Sequence, residues 1–203
     1  MSAAILTIDH ALAARPSAFP AMSGPKPTLY RGVRMASRLE SQWAVFFDNR
    51  SIAWAYEPHR LRLSGEDTDY LPDFHLPEIG TWFEAKGGLD LRLIAKPMAL
   101  WEQVTRVGQR VAIGTSNGRV AVPWRRADGA VSMAGACACC SRCGGTWFAN
   151  PEDPSAGMCL WCGDADGGVA SVKAAAAAIS AGLVPGWPGG FDPTHYRSLV
   201  EDA

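Results

Sequence analysis

Two apolar segments in the middle of the chain carry charged residues that together could bind a divalent cation. Asp73 lies within the run Tyr70–Leu76, and Glu84 and Lys86 lie within Thr81–Lys86. Side chains alternate between the faces of a strand, so Glu84 and Lys86 point the same way and Asp73 can stand beside Glu84 from a neighbouring strand. Two half-buried carboxylates are unfavourable unless a cation lies between them, and Mg²⁺ is bound by such carboxylates with water and substrate phosphate. The pattern predicts a magnesium site formed by Asp73 and Glu84.

Each of these residues also has a plainer interpretation. Pro72-Asp73 would be a turn, and Glu84 and Lys86 would form a weak ion pair on an exposed strand, which is the commonest fate of charged side chains. Their apolar neighbours favour the cation site instead. His75 shares the face of Asp73 and could assist there, although a single histidine on a strand is more often structural.

All six cysteines lie between Cys137 and Cys162, which favours a metal site over the spread-out cysteines of a secreted disulfide framework. Four of them form two Cys-x₂-Cys pairs, separated by fifteen residues and each followed by glycine. Each pair makes a tight turn that presents two thiolates, and two such turns form the closed tetrahedral shell of a structural Zn²⁺ site. The pattern predicts a zinc ribbon whose ligands are Cys140, Cys143, Cys159 and Cys162.

Cys137 and Cys139 are surplus to these ligands. Cys137-x₂-Cys140 has the same spacing, so Cys137 could compete as a ligand; otherwise both are exposed thiols. A thioredoxin-like redox role is the alternative to zinc, and the presence of two matched pairs argues against it.

The predicted ribbon is acidic, with one arginine against four carboxylates between Cys137 and Asp166. Four thiolates on one Zn²⁺ add two further negative charges, which makes a poor surface for a phosphate backbone. We therefore expect the ribbon to stabilise the protein or to dock a protein partner rather than to grip DNA.

Periodicity and turn signals predict the elements that must position these residues. Apolar residues recur at helical spacing after Ser37, which can form a capping box with Glu40, so a helix is predicted over residues 37–49. Short β-type runs follow and predict a meander of antiparallel strands. The runs are Ile52–Tyr56, Arg60–Leu63, Tyr70–Leu76 and Thr81–Lys86, and they precede a second helix over Leu91–Val107 and a strand over Val111–Ile113.

Composition divides the chain into five parts. Residues 1–28, rich in alanine and proline, predict a flexible leader, residues 29–126 the main α/β core, and the small residues of 127–136 a linker. The zinc ribbon is expected over 137–166 and a helical tail over 167–203, with helices over Val169–Leu183 and after Asp192.

Length and composition indicate a soluble globular protein. The 203 residues are 48% hydrophobic and 19% charged, which excludes disorder throughout. No apolar run reaches the length of a membrane span and no secretory signal is recognisable, so a cytoplasmic location is expected. Residues 29–126 hold 14 basic and 11 acidic side chains, whereas residues 127–203 hold 3 and 8, so only the middle part can attract a polyanion.

The motif Pro72-Asp73, a gap of ten residues and Glu84-Ala85-Lys86, with Glu40 on a preceding helix, resembles the PD-(D/E)xK nuclease superfamily. The resemblance extends to the order of helices and strands. It implies an α/β (α+β) restriction-endonuclease-like fold with an α-β-β-β-α-β core and a mixed sheet. It also implies an endonuclease that uses Mg²⁺ or Mn²⁺ to hydrolyse DNA phosphodiesters, similar to small nucleases of the very-short-patch repair, transposon-end-cutting or phage resolvase types.

The resemblance assigns a role to each matching residue. Asp73 and Glu84 would be metal ligands, and the carbonyl oxygen of Ala85 a further ligand. Lys86 would position or polarise the attacking water. Glu40 would complete the metal shell or hold a metal-bound water.

A non-catalytic adaptor is the rival interpretation, with the α/β core as a scaffold and the zinc ribbon as the surface that recruits a partner. Loss of Asp73, Glu84 or Lys86 would favour it, and none of them is lost. A compact core of this size has one active site, so cleavage of both DNA strands would suggest a homodimer.

Overall fold

A computed structural model describes residues 25–65, 67, 69–180 and 201–202. The protein is a mixed α+β chain of two compact units, and the chain passes from one to the other between Gly118 and Arg119. Within the described residues, no helix combines the length and the apolar character that crossing a membrane requires. Most of the predicted leader and the predicted helix after Asp192 lie outside the described residues.

The first unit is built around a mixed sheet. Strand β6 is antiparallel to β3 and to β7, whereas β7 is parallel to β8, and the strand order is β3-β6-β7-β8. The unit contains β1 (Thr28–Tyr30), β2 (Val33–Met35), α1 (Arg38–Asn49), β3 (Ala55–Tyr56), β4 (Leu61–Arg62), β5 (Asp69–Tyr70), β6 (Phe74–Leu76), β7 (Thr81–Lys86), α2 (Leu91–Val104) and β8 (Arg110–Thr115).

Helix α1 covers one face of this sheet. Ser37 caps it, because its hydroxyl accepts a hydrogen bond from the amide of Glu40 at 3.2 Å. The rings of Trp43 and Phe47 lie 4.7 and 5.0 Å from the ring of Phe83 on β7. Since strand side chains alternate, Glu84 and Lys86 lie on the face opposite Phe83.

The predicted strand Tyr70–Leu76 is interrupted. Tyr70 ends β5, which pairs with β4 in a separate two-stranded hairpin, and β6 begins only at Phe74. Pro72 lies in the break and has no N–H to donate to a strand ladder. The expected meander is therefore wrong in one respect: β4 and β5 stand outside the main sheet.

The second unit contains β9 (Val120–Ala121), β10 (Trp124–Arg125), β11 (Val131–Ser132), β12 (Ala136–Cys139), β13 (Thr146–Ala149) and α3 (Val169–Ser180). The segment 127–136, which we expected to be a linker, contains β11 and the buried residues Val131 and Met133. The side-chain amide of Asn150 donates to the carbonyl of Val122 at 2.7 Å and so ties the start of this unit to its centre. The boundary between the units thus lies earlier in the chain than residue 126.

The C-terminal part of the chain also differs from the expectation of a helical tail. Residues Glu201–Asp202 form a strand, β14, which pairs with β1.

Candidate functional site

Asp73 and Glu84 meet at the end of the β6–β7 pair. The register pairs Phe74 with Phe83, and one step further along the backbone amide of Asp73 donates to Glu84 Oε1 at 3.1 Å. The amide of Ala85 in turn donates to Asp73 Oδ2 at 2.8 Å. Each carboxylate is thus held by a backbone amide near the other acid, so the two side chains are fixed relative to each other.

Lys86 is the cation of this group. Its Nζ lies 2.5 Å from Glu84 Oε2 and 3.5 Å from Asp73 Oδ2. The side chain of Glu84 is 0% exposed, whereas those of Asp73 and Lys86 are 18% and 23% exposed. Glu84 therefore forms the floor of the site, and Asp73 and Lys86 form its solvent-facing side.

One ammonium does not balance two carboxylates. Burial, followed by the charge of Glu84, raises the pKa of Asp73 from 3.8 to about 7. Burial lowers the pKa of Lys86, but the charges of Glu84 and Asp73 outweigh burial and raise it overall. The group therefore has a net affinity for positive charge, which a proton on Asp73 or a further cation can supply.

The donor set fits a hard divalent cation. Two carboxylates supply oxygen ligands, and the buried Glu84 Oε2 contacts the Lys86 ammonium, a positive charge whose place a metal ion could take. Oxygen ligands of this kind suit Mg²⁺ or Mn²⁺ rather than Zn²⁺. The amide of Ala85 is used to hold Asp73, and the ligand role of the Ala85 carbonyl stays a prediction.

Tyr70 belongs to the same group and sequence reasoning missed it. Its side chain is buried, and burial, followed by the nearby charges of Glu84 and Asp73, raises the pKa of its hydroxyl. In the sequence Tyr70 reads as an ordinary apolar strand residue. Pro72 could have indicated a special position for Tyr70, because a proline predicts a break in the strand, and this break separates Tyr70 from β6.

The hydrogen bonds of Glu40 are made at the start of α1, and its role in completing the metal shell or holding a metal-bound water stays a prediction. Its Oε1 accepts from the Ser37 hydroxyl at 2.6 Å, and its Oε2 accepts from the Ala36 amide at 3.0 Å and the Tyr56 hydroxyl at 2.7 Å. Both oxygens are used in capping α1 and in holding Tyr56. In the described part of the chain, the four cysteines are the one group of three or more potential ligands placed to hold a metal ion.

His75 packs against an aromatic ring. Its imidazole lies 4.3 Å from the ring of Trp82, centroid to centroid, and burial lowers its pKa. The indole N–H of Trp82 donates to Gln109 Oε1 at 2.8 Å. His75 Nε2 is buried without a hydrogen-bond partner among the described residues, and an assisting role of His75 stays a prediction.

The second unit brings together the four predicted zinc ligands. The Sγ atoms of Cys140 and Cys162 are 3.8 Å apart, and those of Cys143 and Cys159 are 3.6 Å apart. All four sulfurs lie within 4.8 Å of one another, with one buried and one exposed cysteine from each pair. The cluster is confirmed, and it can hold a metal ion such as zinc, whose structural sites are closed by four such ligands.

The two Cys-x₂-Cys loops have the same backbone geometry. Cys140 O accepts from Gly144 N and Cys159 O accepts from Gly163 N, both at 3.0 Å. Gly144 and Gly163 have φ angles of 74° and 72°, which a residue with a Cβ rarely adopts. Each glycine lets the chain turn back directly after its pair of ligands.

Backbone amides point at the sulfurs of the first cysteine in each loop. Cys140 Sγ accepts from the amides of Cys143 and Arg142, both at 3.4 Å, and Cys159 Sγ is held in the same way. The amide hydrogen bond from Cys143 is the main cause that lowers the pKa of Cys140 to about 7. In Cys143 the amide of Gly145 lowers the pKa, but burial and the neighbouring cysteines outweigh it and raise the pKa overall, so the amides favour a thiolate at Cys140 in particular.

Cys137 and Cys139 are outside the cluster. They lie on β12, where they pair with Phe148 and Thr146 of β13. Cys139 Sγ contacts the carbonyl oxygen of Gly144 at 3.6 Å. Strand pairing thus holds Cys137 away from the position of a competing ligand.

A scan against protein-family models, a search of curated proteins and a search of solved structures return no significant match to this chain. The geometry of the two sites is therefore the basis of the functional inference.

Proposed function

We propose that this protein is a metal-dependent DNA endonuclease of the PD-(D/E)xK type. The observation that carries the proposal is the contact of one ammonium, Lys86 Nζ, with both Glu84 on β7 and Asp73, which directly precedes the adjacent strand β6. A buried acid that meets a second acid and a lysine is an arrangement that perturbs protonation and that favours chemistry on a charged substrate.

The order of elements supports the same assignment. Leaving aside the β1–β2 and β4–β5 hairpins, the first unit runs α1, β3, β6, β7, α2 and β8, with β7 and β8 parallel in a mixed sheet. This order agrees with the α-β-β-β-α-β core of a restriction-endonuclease-like fold. We assign the first unit to that fold as part of the proposal.

Asp73 and Glu84 would hold Mg²⁺, and the amide of Ala85 orients Asp73 for that task. When bound, the ion supplies an activated water and neutralises the phosphodiester. Lys86 remains on the face of β7 that carries Glu84, where its fixed positive charge stabilises the negative charge that develops on the phosphate. The buried floor at Glu84 excludes bulk water from one side of the site.

Lys86 has a second task before the metal arrives. It is the counter-ion of both carboxylates, so a divalent cation must compete with it for Glu84. The ammonium is then available for the substrate. The replacement of Lys86 by a divalent cation at Glu84 would thus free the lysine, which is the counter-ion in the metal-free protein, for its role in the reaction.

For the second unit we propose a structural zinc ribbon that stabilises the chain or docks a protein partner. The two Cys-x₂-Cys loops expose Cys143 and Cys162. Arg142, the one arginine of the ribbon, lies 3.4 Å from Asp164, and this carboxylate partly neutralises its charge. A surface of this charge is unsuited to DNA phosphates.

The test is a cleavage assay on duplex, mismatched, branched and single-stranded DNA, with and without Mg²⁺. We expect Mg²⁺-dependent cleavage by the wild type and its loss in Asp73→Asn and Glu84→Gln. Glu78→Gln is the matched control, because Glu78 is an exposed acid at the opposite end of the β6–β7 hairpin.

Cleavage at the wild-type rate by both site variants, in protein free of contaminating nucleases, would remove the assignment. No cleavage by the wild type on any substrate would favour the non-catalytic adaptor.

A further inference from the structure

The buried hydroxyl of Tyr70 lies near the Glu84 carboxylate but meets no described residue in ordinary hydrogen-bond geometry. The residue is only 7% exposed, and the hydroxyl lies close enough to Glu84 and Asp73 for their charges to act on it. Glu84 Oε2 is contacted by Lys86 Nζ at 2.5 Å. The Tyr70 hydroxyl, a potential donor, is thus buried near an acceptor that Lys86 now holds.

The other tyrosines in the described part of the chain behave differently. Tyr30 donates its hydroxyl to Asp48 Oδ2 at 2.8 Å, and Tyr56 donates to Glu40 Oε2 at 2.7 Å. A buried hydroxyl without a partner destabilises the fold relative to a phenyl ring of the same shape. Packing therefore explains the ring of Tyr70 but not its hydroxyl.

We propose that Tyr70 is a positioning residue of the cation site. Its hydroxyl donates a hydrogen bond to the Glu84 carboxylate when that carboxylate exchanges Lys86 for a divalent cation. The inference rests on the proposed function, because it requires Asp73 and Glu84 to bind such a cation. Donors behind a ligating carboxylate fix its orientation, and their loss weakens metal binding or activity by about 10- to 100-fold.

The structure supports this role through three features. Asp73 N–H already holds Glu84 Oε1, so the remaining freedom of the carboxylate lies at Oε2. Lys86 is the group that contacts Oε2, and its side chain is partly exposed and able to move away. A neutral phenol is then the nearby donor that can take over without adding charge.

The experiment measures Mn²⁺ binding to the full-length, zinc-loaded chain by electron paramagnetic resonance, together with thermal unfolding in the absence of Mn²⁺. Mn²⁺ prefers oxygen ligands and so reports on the carboxylates rather than on the cysteines. We expect Tyr70→Phe to raise the Mn²⁺ dissociation constant by about tenfold or more. Its melting temperature without Mn²⁺ should equal or exceed that of the wild type, because no hydrogen bond is lost.

Tyr30→Phe is the matched control and should give the opposite pattern. It removes a hydroxyl that donates to Asp48 Oδ2 at 2.8 Å, so its melting temperature should fall. Its Mn²⁺ affinity should stay at the wild-type value, because Asp48 is not one of the acids assigned to the cation site.

Wild-type Mn²⁺ affinity in Tyr70→Phe would overturn the inference while leaving the proposed function intact. A melting temperature of Tyr70→Phe that falls as far as that of Tyr30→Phe would also overturn it, because the hydroxyl would then have a structural partner. Failure of the wild type itself to bind Mn²⁺ would instead remove the proposed function, and the inference with it.

Discussion

Lys86→Ala separates the two tasks assigned to this lysine, which are to balance the carboxylates and to assist the reaction. The ammonium is 2.5 Å from Glu84 Oε2 and 3.5 Å from Asp73 Oδ2. At an effective dielectric constant of about 20, a charge pair 3.5 Å apart attracts by roughly 5 kcal/mol. Desolvation offsets much of this attraction, so the net contribution is smaller.

The stability cost follows from what the variant leaves behind. Removing one partner from a buried ion pair costs about 3–5 kcal/mol, because the other charge is left uncompensated. Here Asp73 can take up a proton, since its pKa is already raised to about 7. We therefore expect a loss at the lower end, about 3 kcal/mol at neutral pH, and a lower melting temperature in the metal-free protein.

Divalent cations should reverse this loss. In Lys86→Ala the cation no longer competes with an ammonium for Glu84, so the Mg²⁺ dissociation constant should fall below the wild-type value. A tenfold tighter site adds about 1.4 kcal/mol to the stabilisation at saturating Mg²⁺. Cleavage should nevertheless fall by about 100-fold or more, because the fixed charge beside the phosphate is gone.

The assay combines thermal unfolding over a Mg²⁺ series with single-turnover cleavage. Lys96→Ala is the control, because Lys96 is an exposed lysine on α2 and should leave Mg²⁺ affinity unchanged. Weaker Mg²⁺ binding in Lys86→Ala would refute the competition, and cleavage at the wild-type rate would refute the catalytic role.

Three further predictions concern the cysteine cluster, the protonation of Asp73 and the packing of the sheet. A strong zinc chelator should remove one equivalent of zinc per chain and unfold the second unit, which tryptophan fluorescence would detect. The reason is that structural zinc contributes about 10–16 kcal/mol of binding energy that is also folding energy. Protein purified without zinc would contradict this prediction. In metal-free protein the melting temperature should fall between about pH 4 and pH 7. The pKa of Asp73 in the folded protein is raised from 3.8 to about 7, so folding favours the protonated carboxyl. The resulting contribution to stability is present at low pH and is lost as the pH rises through about 7. Asp73→Asn should flatten that slope, and a melting temperature that rises across the window in the wild type would count against the raised pKa. Gly114→Ala should cost about 1–3 kcal/mol in urea unfolding, because a Cβ there would overlap the rings of Phe83 and Trp43; wild-type stability would show that the rings can move aside.

The local spacing of apolar residues and turn signals was sufficient to predict part of the fold. Helix α1 begins directly after the predicted cap Ser37 and ends at Asn49, and β7 covers the predicted residues Thr81–Lys86. These elements combine strong periodicity with clear stop signals. The expectation of a mixed α+β chain with a mixed sheet is also confirmed, and it came from the family resemblance, because the strand runs alone predicted an antiparallel meander.

The groups that each side chain contacts could not be predicted in the same way. Glu40 has the sequence signature of a metal-site acid and of a capping-box residue at once, and the structure gives it three donors around the start of α1. Tyr70 carries no signature at all, yet its hydroxyl lies near Glu84. In both cases the outcome depends on which groups of distant segments come close together.

The sequence by itself determined the cysteine cluster and the pairing of Asp73 with Glu84 as candidates, because ligand spacing and strand alternation are local properties of the chain. Tertiary structure alone decided that Glu84 is fully buried, that Lys86 contacts both acids, and that the buried Tyr70 lies near them. The physical reason is that the energy of a buried charge depends on every group around it, and those groups come from residues that are far apart in the sequence.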